Sequence, residues 1–240
     1  MDSRQRPPGL GAMTVRLRLL VLIALSIVGL ATLGVLGVVG MHRVTEAMHS
    51  VSQVNVPALQ SLASLRTARL ESILVVQEGA AWNVAALEET IADEHERIAE
   101  STGVFAGILE RFAAARTRAL AAEAQYRALA VSEAQRTRWQ AMEAELGRFN
   151  DDEAAFLEVT RALSTAASWP AFRSALGSFQ TLANRWAGYY EALDRRLVGL
   201  MAVGMDDARA AQTEVDRAAT LGTHVGPVAA SVCAGVLVVL

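Results

Sequence analysis

Lysine is absent from this chain, so all 22 basic side chains are arginines. Every positive charge is therefore a planar fork able to hold a carboxylate bidentately. Cysteine is almost absent: the single Cys233 lies inside an apolar run, which excludes a disulfide within the chain and says nothing of the redox compartment. A net charge of −3 removes the electrostatic case for nucleic acid. No glycine-rich nucleotide loop is present; Gly29, Gly34, Gly37 and Gly40 sit in an apolar run where small residues allow close helix packing. No Ser-His-Asp, Cys-His or paired-carboxylate arrangement stands out, so neither catalysis nor a cofactor is expected. Glu94-His95-Glu96 are consecutive, and neighbours on a helix point about 100° apart, so the three do not converge on a metal. His42 and His49 share a face but lack a third ligand. Strand-like alternation and Asn-Gly hairpin signals are also missing.

What the chain does have is two long uncharged runs. The first is LLVLIALSIVGLATLGVLGVVG, Leu19 to Gly40; the second is LGTHVGPVAASVCAGVLVVL, Leu221 to Leu240. A bilayer core of about 30 Å takes roughly 20 apolar residues as a helix, and both runs reach that length. Arg4, Arg6, Arg16 and Arg18 precede the first run against a single Asp2, which favours a cytoplasmic N-terminus. The run is too long for a signal-peptide core and lacks a convincing A-x-A site. The expected organisation is a cytoplasmic segment 1–18, a transmembrane helix 19–40, an extracytoplasmic domain 41–220 and a second transmembrane helix 221–240. The chain ends within or at the close of that helix, and an output module is expected beyond Leu240.

The domain reads as helical throughout. Phe172, Leu176, Phe179, Ala183, Trp186, Tyr190, Leu193, Leu197 and Leu200 recur in alternating steps of four and three, the seam of a bundle. A second seam, Trp139, Met142, Leu146, Phe149, Glu153, Phe156, is interrupted only by Glu153. A third reads Ile91, His95, Ile98, Thr102, Phe105, Leu109, Phe112. Breaks at Gly79–Asn83, Leu129–Glu133 and Ala166–Pro170 divide the domain into four helices, roughly Met41–Glu78, Val84–Ala128, Ser132–Thr165 and Ser168–Thr220. Ser132 and Ser168 are the expected N-caps, the latter with Pro170 in the first turn. Pro57 is discordant inside the first helix and predicts a kink in a continuing helix. The fold class is all-α: a membrane-anchored, up-down-up-down four-helix bundle flanked by two transmembrane helices. Trp186 and Tyr190 fit the core and Tyr189 the surface; Asp206 and Asp207 read as a solvated face.

The short Arg-bearing N-terminus, the first span, the Asn-x-Pro-Ala-Leu stretch (Asn55, Pro57, Ala58, Leu59), the following LASLR (Leu62 to Arg66) and a last helix feeding the second span resemble the sensor module of methyl-accepting chemotaxis proteins. Histidine kinases and diguanylate cyclases use a similar module. The resemblance implies a parallel homodimer in a bacterial inner membrane, a small-molecule ligand or binding protein at the outer bundle, and a HAMP linker with signalling domain after the second span. A non-signalling, membrane-anchored helical scaffold is the alternative. Arg66 and Arg69 occupy the stripe Leu62, Arg66, Arg69, Ile73, Val76, where apolar residues are expected. They resemble in placement the arginines with which enterobacterial amino-acid receptors hold ligand carboxylates, which makes them the candidate ligand-binding pair and gives a lean towards anions. The competing expectation is that they pair with Glu71, Glu78 or a neighbouring helix.

Overall fold

A computed structural model describes the backbone from Val15 to Val239 and most side chains as far as Thr220. Among these residues every regular element is a helix: α1 (Val15–His49), a π-helical stretch (Ser50–Asn55), α2 (Val56–Ala80), α3 (Val84–Thr90), α4 (Glu94–Arg127), α5 (Glu133–Ser164) and α6 (Trp169–Val239). The chain divides into two units, Met1–Val51 with Ala210–Leu240, and Ser52–Arg209.

In the first unit, α1 is the one helix among the described residues long and apolar enough to cross a membrane. Its most apolar window has a mean hydropathy of 2.8, and none of that window is buried. Its length and composition fit a membrane anchor or a signal sequence. The second apolar run is helical in its backbone to Val239, within the 71 residues of α6. Its side chains, Cys233 included, lie outside the described residues, as do Arg4 and Arg6.

The second unit is a helical bundle built from α2, α4, α5 and the first part of α6, with α3 as a short addition. The direction of each neighbour follows from cross-helix pairs. Glu78 meets Arg111 at 2.7 Å and Glu71 meets Arg118, so α2 and α4 run antiparallel. Phe112 lies against Phe156 and Tyr126 against Trp139, which sets α5 antiparallel to α4. Arg185 reaches Asp152 at 3.3 Å and Arg196 reaches Glu145 at 2.6 Å, doing the same for α6. Gly79 beside Phe179, and Gly204 beside Leu59, close the ring between α6 and α2. The up-down-up-down order thus holds within this unit.

The core is where the heptads place it. On α6, Phe172, Leu176, Phe179, Trp186, Leu193, Leu197 and Leu200 are buried and Ala183 and Tyr190 half-buried. On α5 the whole seam from Trp139 to Phe156 is buried, Glu153 included. Ser132 Oγ accepts from Gln135 N at 3.2 Å and Ser168 Oγ from Ala171 N at 3.4 Å, as N-caps do.

The structure departs from the sequence reading in the second helix. The stretch Val84–Ala128 is not one helix: α3 ends at Thr90, Ile91–Asp93 is extended, and α4 begins at Glu94. Asp93 caps this new start, accepting from His95 N at 3.0 Å. The α4 seam is accordingly Ser101, Phe105, Ile108, Phe112, Ala115, Ala119, Ala122 and Tyr126, all buried. Ile91 lies outside the helix, and His95 is exposed in its first turn. The helical backbone passes Pro57 without a break, through the π-helical stretch that ends at Asn55. Proline has no N–H to donate and its ring crowds the preceding turn; a wider π turn gives both room.

Candidate functional site

The bundle's interior carries one dense polar cluster, and Arg69 is its centre. Arg69 projects from α2 with no exposed surface. Its guanidinium forms an ion pair with Glu153 of α5, donates from Nη2 to Asn150 Oδ1 at 2.5 Å, and lies 3.8 Å from Glu123 of α4. Its flat face covers the Phe149 ring, 4.7 Å from the centroid, a favourable place for a desolvated cation. Arg116 of α4 approaches the same Glu153 carboxylate at 3.5 Å, and Arg127 holds Glu123 at 2.8 Å. Ser72, fully buried one turn along from Arg69, stands beside Glu153. Phe112, Phe156 and Trp186 form an aromatic group with Phe149. In this setting burial pushes the Glu153 carboxyl above the ordinary carboxylate range, against the opposite pull of Arg69, Arg116 and Ser72.

Arg66, three residues earlier, faces outward. Its Nε donates to Asp194 Oδ1 of α6 at 2.6 Å and its Nη2 to Oδ2 at 3.2 Å, the bidentate geometry. Half the side chain is open to solvent. The two arginines therefore do not converge: one clasps α6 at the surface, the other joins α4 and α5 in the core. Glu71 and Glu78, the other expected partners, pair instead with Arg118 and Arg111. A ligand carboxylate at Arg66 and Arg69 would have to displace Asp194 and Glu153.

A second polar group lies at the α4–α5 turn. Asp207 of α6 accepts from Ser132 Oγ at 2.7 Å and from Gln135 Nε2 at 2.8 Å. Gln135 is fully buried, and its Oε1 accepts from the Tyr126 hydroxyl at 3.3 Å. The Tyr126 ring lies tilted against Trp139, 4.6 Å between centroids, and burial, assisted by the Asp207 charge, raises its phenol to about 12. Asp207 is thus a latch between α6 and the turn, not part of a solvated face, because the turn brings two donors to it. Asp206, one residue away, is exposed and pairs with Arg209 at 3.2 Å.

The histidines and aromatics are placed as follows. His42 Nε2 lies 3.3 Å from Glu46, one turn along an exposed face, and His49 is exposed. Among the described residues no group of three or more His, Cys, Asp or Glu is arranged to hold a metal. Trp186 is core and Tyr189 half-exposed. Sequence reasoning missed Arg116, Glu123, Asn150 and Gln135. Two signals were available: Glu153 interrupts the α5 seam, and Arg69 occupies the α2 stripe, so two charges of opposite sign each stand where an apolar residue is expected. Compared with protein-family models, with curated proteins and with solved structures, the chain matches none.

Proposed function

We propose that this chain is the sensor and transmembrane part of a bacterial signal transducer of the methyl-accepting chemotaxis type. Its bundle lies outside the cytoplasm, binds a small ligand or a partner protein, and passes a helix shift across the inner membrane; it carries no catalytic site. The observation that carries the reading is α6. A single helix contains the bundle's most regular apolar seam, Phe172 to Leu200, and the uncharged run from Leu221 onward. A displacement of the seam along or about its axis is then a displacement of the run that follows. The apolar α1, with Arg16 at its start, supplies the other anchor and the orientation.

The reading includes a multi-pass topology and a homodimer. Gly34 and Gly37 of α1 have open space around them, as close approach of a second helix requires. Reporter fusions after Gly40 and near Thr220 are expected to report an extracytoplasmic location in both cases. A cytoplasmic signal from either would remove the sensor reading. Dimerisation is tested separately: single cysteines along α1, in a Cys233→Ser background, are expected to cross-link in membranes with helical periodicity.

A further inference from the structure

We infer that Glu153 is a proton-binding site in the core of the bundle: taking up a proton on acidification, it releases Arg69, which turns from α5 to Glu123 of α4. The inference rests on the reading of the bundle as lying outside the cytoplasm, where proton concentration follows the surroundings, and it adds the proton as an input. Glu153 is the one ionisable position in a seam otherwise made of Trp139, Met142, Leu146, Phe149 and Phe156, and it has no exposed surface. Stability does not require a charge there, since well-packed apolar residues in place of a buried ion pair are often neutral or stabilising.

Each helix of the bundle contributes to this setting. From α2 come Arg69, in an ion pair with Glu153, and Ser72. From α4 come Arg116, at 3.5 Å, and Glu123, which Arg127 holds at 2.8 Å. On α5 itself Asn150 accepts from Arg69, while Asp152 turns to Arg185 of α6 at 3.3 Å. α6 brings Trp186 onto Phe149 and Phe156, the seam residues on either side of Glu153. Burial raises the Glu153 carboxyl above the ordinary range, against the pull of Arg69, Arg116 and Ser72, so it accepts a proton where an ordinary carboxylate stays ionised. The folded chain holds this proton more tightly than the unfolded chain. The linked stabilisation is therefore complete below the unfolded value, about 4.3, and is lost as pH rises through the folded one.

The second arrangement is already laid out in the core. Glu123 Oε2 is shut off from solvent without a hydrogen bond, and it lies 3.8 Å from Arg69 Nη2. That same Nη2 now donates to Asn150. A guanidinium keeps its charge in a protein. Once Glu153 is neutral, the buried Arg69 still needs a carboxylate, and Glu123 is the one beside it. Moving there exchanges an ion pair between α2 and α5 for one between α2 and α4.

The experiment takes the full chain in lipid nanodiscs through a descending pH series that crosses the ordinary glutamate value of about 4.3. Infrared difference spectra follow the carbonyl band of a protonated carboxyl group. Spin-label distances follow the helices, in a Cys233→Ser background, with the pairs Thr67→Cys/Ala154→Cys for α2–α5 and Thr67→Cys/Ala114→Cys for α2–α4, all at exposed positions. A carbonyl band missing from Glu153→Gln is expected to grow in with a midpoint above the ordinary value. Both distances are expected to shift with the same midpoint, α2–α5 lengthening relative to α2–α4. Glu153→Gln should hold the shifted distances at every pH. Glu123→Gln should keep the band and lose the shift, which decides the matter even where Glu153→Gln does not fold. A Glu153 band confined to the ordinary carboxylate range, distances that stay fixed while the band grows, or a shift that persists in Glu123→Gln would overturn the inference. None of these results bears on membrane topology, which the fusions decide on their own.

Discussion

At the scale of single residues, the charged side chains inside this bundle are held by one another, and their energetics are a matter of which partner is removed. Arg69 is fully buried, so deleting it leaves Glu153 desolvated beside Ser72, with the longer approach of Arg116 as the remaining ion-pair contact. Breaking a buried pair in this way costs about 3–5 kcal/mol. Arg69→Ala is therefore expected to lower stability by that order in denaturant unfolding of the detergent-solubilised chain. Arg69→Leu/Glu153→Leu together should be close to neutral or stabilising, since the desolvation cost of both charges disappears; a double variant as unstable as Arg69→Ala would show the pair to be a net source of stability. Tyr126 gives the pH dependence. An unfolded phenol ionises near 10, while this one is raised to about 12 by burial first and by the Asp207 charge second. The folded state keeps its proton longer, so this stabilisation is complete below pH 10 and is lost as pH rises through 12. It amounts to about 2–3 kcal/mol at most. Tyr126→Phe should flatten the alkaline limb of the stability profile, followed by helical circular dichroism.

At the scale of elements, the helices and their inward faces were legible wherever the four-three rhythm was unbroken. The α6 seam was read from Phe172 to Leu200, and the structure buries or half-buries each member, because a continuous heptad stripe has one way to hide in a bundle. The rhythm misled in the second helix. Ile91 and His95 extend the pattern of Ile98 and Phe105 in sequence, yet Asp93 caps a new helix between them, and a local cap outcompetes an apolar pattern that has no core to enter. The polar cluster was half legible. Arg69 and Glu153 were visible as intruders, but their partnership is a contact between helices far apart in sequence, which no local pattern encodes. Asp207 was misread for the same reason: its donors, Ser132 and Gln135, belong to another helix. Tight α2–α6 packing supplies a prediction at this scale. A Cβ on Gly79 would lie 2.9 Å from the Phe179 ring, itself wedged against Phe105 and Phe156. Gly79→Ala should cost about 1–3 kcal/mol by overpacking, with part of the loss restored by adding Phe179→Leu. An unchanged melting temperature would mean that this contact gives way freely.

At the scale of the whole molecule, the sequence carries an asymmetry between its two apolar runs. The first is a described, apolar helix, and the second lies on a helix that begins as the bundle's last seam. The account of function depends on that second run crossing the membrane, because a bundle held by α1 alone has no path for a signal to the cytoplasm. The most direct measurement is a pair of reporter fusions, one after Thr220 and one after Leu240, read in the same cells with an enzyme active only outside the cytoplasm and another active only within it. The account predicts opposite sides, Thr220 outside and Leu240 inside. Both junctions on the same side would contradict it.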